Sequence, residues 1–279
     1  MSEKQERCLL PTKSTFNIIC LGDIVGQPGR TILDEQLQGL IDEFDAHFII
    51  ANIENSASGF GFNNKLYHEF IHMKMDAFTS GNHVYAKREV LDKFNVYDRL
   101  VRPINFPSAH PGKGIRYFKK SGKTIAVINL IGRVFMPQMP HCPFETMDNI
   151  LADVDADIII VDFHAETTSE KQAMGWYLND RVSLVFGTHT HVQTSDYRLL
   201  SNKTAYISDV GMCGAYDSVI GMDKDISIQK FVDQLPSRHQ PVKHPDQYCI
   251  GAVAISVDSE TNNVNSIRAI HRVYDHERN

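Results

Sequence analysis

The chain is predicted to adopt an α/β fold. Short apolar runs alternate with segments of helical spacing over its first two thirds, and two alternating runs flank a polar turn near its end. Several of the runs are apolar throughout, as expected of strands buried on both faces. The candidate strands, in order, are "FNIICLG" (16–22), "HFIIANI" (47–53), "DAFTSG" (76–81), "TIAVINLI" (124–131), "DIIIVDFH" (157–164) and "VSLVFGT" (182–188). Helices are expected at about 30–44, 64–75, 87–100 and 168–180. The first follows Pro28 and Gly29 and carries Ile32, Leu33, Leu37, Leu40, Ile41 and Phe44 on one stripe. The last opens on "TTSE", read as a capping box of Thr167 and Glu170.

After residue 195 the pattern changes. "YRLL" and "TAYISDVG" precede a predicted hairpin, whose turn lies near Thr261 to Asn263 and whose antiparallel strands extend a layered sandwich. The polar stretch 216–247, with prolines at 236, 241 and 245, reads as a surface excursion of the kind that serves as a lid or an oligomer contact. A single domain over 1–279 is expected, with 1–15 as a flexible N-terminal extension.

Composition narrows the function classes. The chain has 279 residues, 42% of them hydrophobic and 22% charged, which suits a soluble globular protein. Its formal charge of −6 and lack of a basic block argue against nucleic-acid duplex binding, which needs lysine and arginine to neutralise phosphates. Five scattered cysteines without a CxxC pair argue against a disulfide framework. With no apolar stretch near 18 residues and no signal-peptide core, a cytoplasmic protein without membrane contact is expected.

The chemistry is carried by the ends of the candidate strands. Asp23 ends the first, Glu54 and Asn55 the second, Asn82 and His83 the third; His164 ends "IIIVDFH", and His189 and His191 end "VFGTHTH". In a parallel sheet such ends share one edge, and ligands bind in the crevice beyond it. Singly, each has an ordinary explanation: a turn aspartate, a capping "NIEN", a structural histidine. The His-x-His pair is more pointed, because strand alternation puts side chains two apart on one face. Five of the six candidate strand ends are of this kind, and together they predict a metal site.

Imidazole, carboxylate and amide donors without cysteine favour iron or manganese over structural zinc. Six or seven ligands exceed the need of one tetrahedral ion, so two ions sharing a bridging carboxylate are expected, with phosphoester hydrolysis as the chemistry. The other histidines, at 47, 68, 72, 110, 141, 239, 244, 271 and 276, are assigned surface or core-edge roles, with His141 kept as a possible pocket residue. "LGDIVGQPG" lacks both the GxGxxG and the GKS/T pattern of a nucleotide loop.

The order Asp, acidic residue, "GNH", His, "GTHTH" resembles the calcineurin-like metallophosphoesterase superfamily, whose usual pattern is DxH, GDxxD, GNH[DE], H and GHxH. "LGDIVGQPGR", "NIENSASGFG", "GNHVY", "DFHAETTSEK", "GTHTHVQT" and "SDVGMCGAYDSVIGM" are similar to the YmdB family of bacterial phosphodiesterases, over about 16–275. This resemblance implies a four-layer α/β/β/α sandwich. It also implies one ion held by Asp23, Glu54, Asn55 and His191, and a second held by Glu54, Asn82, His164 and His189. His83 is implied as the catalytic acid, paired with in-line attack by a metal-bridging hydroxide. The implied cofactor is a pair of divalent or mixed-valence transition-metal ions, iron first and manganese second, and the implied substrate is a cyclic nucleotide such as 2′,3′-cyclic AMP. Val25 stands where the superfamily has the histidine of DxH, and Tyr85 stands where the family has tryptophan. Alternatives are a phosphomonoesterase of the same fold, a different metallohydrolase such as an amidohydrolase, or a regulatory scaffold with weak hydrolysis. Substrate-binding residues, native metal and oligomeric state, including a homo-oligomer, stay open.

Overall fold

A computed structural model describes residues 14–236 and 240–275 of the chain. One sheet has the strand order β12-β11-β10-β1-β2-β3, from β1 (Thr15–Ile24), β2 (Ala46–Asn52), β3 (Ala77–Thr79), β10 (Met212–Ala215), β11 (Gln247–Asp258) and β12 (Val264–Asp275). The other is ordered β4-β5-β6-β7-β9-β8, from β4 (Ile115–Lys120), β5 (Lys123–Ile131), β6 (Ile158–His164), β7 (Leu184–Thr188), β8 (Arg198–Leu199) and β9 (Ala205–Ile207). In the first sheet β1 runs parallel to β2 and β10, and β2 to β3. In the second, β5, β6, β7 and β9 are parallel neighbours.

The period of two along each strand divides its side chains between separate cores. Phe16, Ile18 and Cys20 of β1 join Ile125 and Val127 of β5, Ile158 and Ile160 of β6, and Leu184 and Phe186 of β7 in a core between the sheets. Ile19 and Leu21 face the other way, onto α1 (Gly26–Glu43) and α2 (Asn64–His72). Ile128, Leu130, Val161, Phe163 and Val185 cover the far face of the second sheet against α4 (Pro143–Leu151) and α5 (Thr168–Tyr177). The expected α/β/β/α sandwich is therefore the observed fold.

Several boundaries differ from expectation. β1 includes Thr15, while residues 1–13 of the expected extension lie outside the described residues. α1 starts at Gly26 rather than near residue 30, because Pro28 in the first turn withholds an N–H that has no intrahelical partner there. The expected helix at 87–100 is only α3 (Arg88–Lys93) and one 3-10 turn, since the chain then bends to bury Phe94 and Tyr97. β4 and α4 were not expected from the pattern, nor was α6 (Lys224–Asp233) inside the 216–247 excursion. That helix is capped by Asp223, which accepts from Ile226 N, and it leaves Ile228, Phe231 and Val232 exposed. Residues 237–239, His239 among them, lie outside the description, as does His276. No helix among the described residues is long and apolar enough to cross a membrane.

The predicted capping box does not form. Thr167 occupies the N-cap position, but its buried hydroxyl has no hydrogen-bond partner. Glu170 reaches out of the helix and accepts from the backbone N–H groups of Arg133 and Val134 at 3.0–3.2 Å, tying down the loop after β5. Thr167→Ala is therefore expected to change unfolding free energy by less than ~0.5 kcal/mol, where a working N-cap would lose about 1 kcal/mol. Urea unfolding of the two proteins measures this, and a loss of a full cap's worth would contradict it.

Candidate metal centre

The polar strand ends converge at the carboxyl edges of both sheets. Asp23 and His164 are the edge residues of β1 and β6; Glu54 and Asn55 follow β2, Asn82 and His83 follow β3, and His189 and His191 follow β7. One ligand atom from each of Asp23, Glu54 and His164 lies within 4.8 Å of the other two, and all three side chains are fully buried. Around His164 Nε2 stand Asn82 Oδ1 at 2.8 Å, Glu54 Oε1 at 3.0 Å and His189 Nδ1 at 3.1 Å. Beside them the Asn55 amide nitrogen donates to Asp23 Oδ1 at 3.2 Å and to His191 Nε2 at 3.1 Å.

Hydrogen bonds on the outer side of each histidine decide what its inner nitrogen offers. With Asp162 ionised, Thr188 Oγ1 donates to its Oδ1 at 2.7 Å and His164 Nδ1–H, 2.9 Å away, donates to Thr188. His189 Nε2 lies 3.0 Å from Glu166 Oε2, and His191 Nδ1 lies 2.9 Å from the carbonyl of Ile220; each is a donor to an oxygen that can only accept. The remaining ring nitrogen of each histidine is then a bare lone pair facing the cluster. Burial pushes His164 down to about 3 and His189 to about 4, which keeps both rings neutral.

The carboxylates have the opposite problem. Burial raises the pKa of Asp23 and of Glu54, and among the described residues no lysine or arginine pairs with either. Glu54 Oε2 accepts from the backbone N–H of His83 at 2.9 Å, but Oε1 receives no directed hydrogen bond. Lone pairs from His164, His189, Asn82 and Glu54 thus meet without a donor among them. Such a group is compensated by a cation, so the residues present fit a metal site.

The His-x-His pair is not aimed by strand alternation. β7 ends at Thr188, and His189 (φ 100°) and His191 (φ 64°) both adopt the left-handed backbone that side chains other than glycine rarely take. Carboxylates hold this turn: His189 N donates to Asp23 Oδ2 at 3.0 Å and Thr190 N to Asp209 Oδ2 at 3.1 Å. Asp209 is itself anchored by Lys171 of α5, whose Nζ lies 2.6 Å from Oδ2 and 2.8 Å from the carbonyl of Thr188, with Lys171 and Asp209 both buried. Glycine is required at 81 for a different reason, because a Cβ there would lie 2.3 Å from the ring of His164.

His83 meets the cluster through its backbone N–H, which Glu54 Oε2 accepts. Its half-buried ring meets Phe60 edge-on at 4.9 Å, and its ring nitrogens hydrogen-bond to no described residue. Val25 packs with Met212, Met222 and Cys249, while Tyr85 donates to the carbonyl of Pro111, so neither departure from the superfamily pattern enters the cluster. His141 is exposed and makes no contact with the cluster; its backbone is clipped to Asn105. Sequence reasoning missed Asn52, Asp162, Glu166, Lys171 and Asp209. Asp162 was open to detection, since it lies two residues before His164 on the same strand face, but a lysine inside an amphipathic helix carries no such signal.

Comparison with known proteins finds relatives along nearly the whole chain. The sequence profile of a family described as "YmdB-like protein" matches residues 19–270. A 2′,3′-cyclic-nucleotide 2′-phosphodiesterase of Bacillus subtilis is 44% identical over 257 residues, covering 91% of this chain and 96% of the relative. Among solved structures, a phosphatase from Mycoplasma pneumoniae superposes with a TM-score of 0.89 at 33% identity, covering 95% of this chain and 96% of that one. A Thermus thermophilus protein of unspecified function gives 0.85 at 32% identity, covering 93% and 99%.

Removing one partner of the Lys171–Asp209 pair would leave a buried carboxylate unpaired beneath the histidine turn. Lys171→Met is expected to lower unfolding free energy by about 3–5 kcal/mol. Chemical denaturation checks this, and a loss below ~1 kcal/mol would show that the pair does not hold the turn.

Proposed function

The chain belongs to the YmdB-like protein family and is a phosphodiesterase of the metallophosphoesterase type, and from that premise we propose that it hydrolyses 2′,3′-cyclic nucleotides with two transition-metal ions. The observation that carries this reading is the donor-free meeting of lone pairs around His164 Nε2. Asp23, Glu54, Asn55 and His191 would hold one ion, and Glu54, Asn82, His164 and His189 the other. Asn55 fits this set through its amide oxygen, which requires its amide to be turned over from the orientation described above. Imidazole, carboxylate and amide donors without thiolate suit iron, with manganese as the alternative. Two such ions supply Lewis acidity that activates water and balances phosphoryl charge.

The protein's own groups do the rest. Glu166, Thr188 and the Ile220 carbonyl orient the three imidazoles and fix their tautomers. His83, linked to Glu54 through its backbone N–H and with ring nitrogens that hydrogen-bond to no described residue, would deliver a proton to the departing O2′ of the ribose. Opening the cyclic phosphate at O2′ leaves the 3′-monophosphate. The substrate assignment is supported by the name of the Bacillus subtilis relative, which matches nearly its full length.

Metal analysis together with hydrolysis of 2′,3′-cyclic AMP tests the division of roles. The wild type should carry about two transition-metal ions per chain and release 3′-AMP. His83→Ala should lose about 10²–10⁴-fold in kcat with its metal retained, whereas Glu54→Ala should lose metal and turnover together. If His83→Ala were as metal-poor as Glu54→Ala, the role given to His83 would be wrong. Turnover confined to phosphomonoesters would favour the phosphatase reading instead.

A further inference from the structure

We propose that the cavity beside His191 holds the base of the nucleotide substrate, with Tyr216 as its stacking platform; the inference rests on the phosphodiesterase reading above. The cavity has a volume of about 210 Å³ and lies between the His191–Gln193 turn, the start of β10, the Tyr216–Ile220 loop, Cys249 of β11 and His271 of β12. Val192, Met212, Ile220 and Cys249 make most of its wall apolar. The volume is below the ~300–1,000 Å³ of pockets for larger ligands and suits one planar base.

Its position is set by a single ring. His191 Nε2 faces Asp23 and Asn55, while Nδ1 on the other side is held by the carbonyl of Ile220 at the cavity wall. About one imidazole therefore separates the proposed ion site from the cavity. In a 2′,3′-cyclic nucleotide the base and the cyclic phosphate sit on the same furanose, so the two are likewise separated by one small ring.

The wall also says how a base would be recognised. Tyr216 is 46% exposed, packs edge-on against His271 with ring centroids 6.0 Å apart, and its hydroxyl has no hydrogen-bond partner among the described residues. An accessible aromatic face in a mostly apolar cavity offers stacking, to which every base contributes a π-face. Gln193 could have read a base edge, but its amide nitrogen is committed to the carbonyls of Val210, Ala252 and Ile270 at 3.0–3.1 Å. Stacking on Tyr216 is therefore the contact that holds a base in this cavity.

The test compares kcat/KM for 2′,3′-cyclic AMP with that for glycerol 1,2-cyclic phosphate, which has the cyclic phosphate and no base, in wild type, Tyr216→Ala and Tyr216→Phe. The wild type should prefer the nucleotide, and Tyr216→Ala should lower that preference about tenfold through KM, the scale of one lost base stack. Tyr216→Phe should retain the preference, and 2′,3′-cyclic CMP should fall within a few-fold of the adenosine compound. A wild type that hydrolyses both substrates equally, or a Tyr216→Ala protein that keeps the preference, would overturn the inference while leaving the phosphodiesterase reading in place. A wild type that hydrolyses neither would remove that reading and this inference with it.

Discussion

A polar seam inside the sandwich fixes the two sheets to each other directly beneath the site. Asn52 of β2 donates across the interior to Asp162 Oδ2 of β6 at 3.3 Å, and it also reaches the carbonyl of Ser80 at 3.1 Å. Thr188 of β7 donates to the other oxygen of Asp162 and accepts from His164. A buried polar group without a partner is costly, so these bonds allow one register between the carboxyl edges and disfavour any slip. Asp162 is pushed up to about 8 by burial and is kept from rising further by Thr79, Thr188 and Asn52. Through this seam, residues distant in sequence, such as Asn52 and Asp162, share one positional reference.

The layers and the list of converging side chains were legible in the sequence, because period-two runs with both faces apolar mark buried parallel strands and because polar residues at their carboxyl ends stand out. Orientation was not legible. Alternation predicts that the His-x-His pair shares one strand face, yet a left-handed turn held by Asp23 and Asp209 aims those rings, and such a turn arises from long-range contacts. The same holds for Glu170: "TTSE" carries a local capping signal, but a tertiary contact with the loop after β5 takes the carboxylate away. Lys171 was hidden because helical spacing alone does not tell a buried lysine from a solvated one, and its partner lies 38 residues on. The cavity was not legible, since its depth depends on β11 and β12 packing behind the loop that follows β10.

The site combines two conditions that conflict without a cation. Asp23 and Glu54 are fully buried, which opposes their charge, while three histidines are held with bare nitrogens turned inward and so cannot offset it. On the proposed reading two ions resolve the conflict. On that reading the left-handed turn at His189 and His191 would bring two imidazoles from one short segment to different ions.

The most direct measurement is anomalous scattering, at the iron and manganese edges, from crystals of the protein grown with those metals. The account predicts two peaks, one bounded by Asp23, Asn55 and His191 and the other by Asn82, His164 and His189, with Glu54 touching both. A single peak, or peaks away from Glu54, would contradict it.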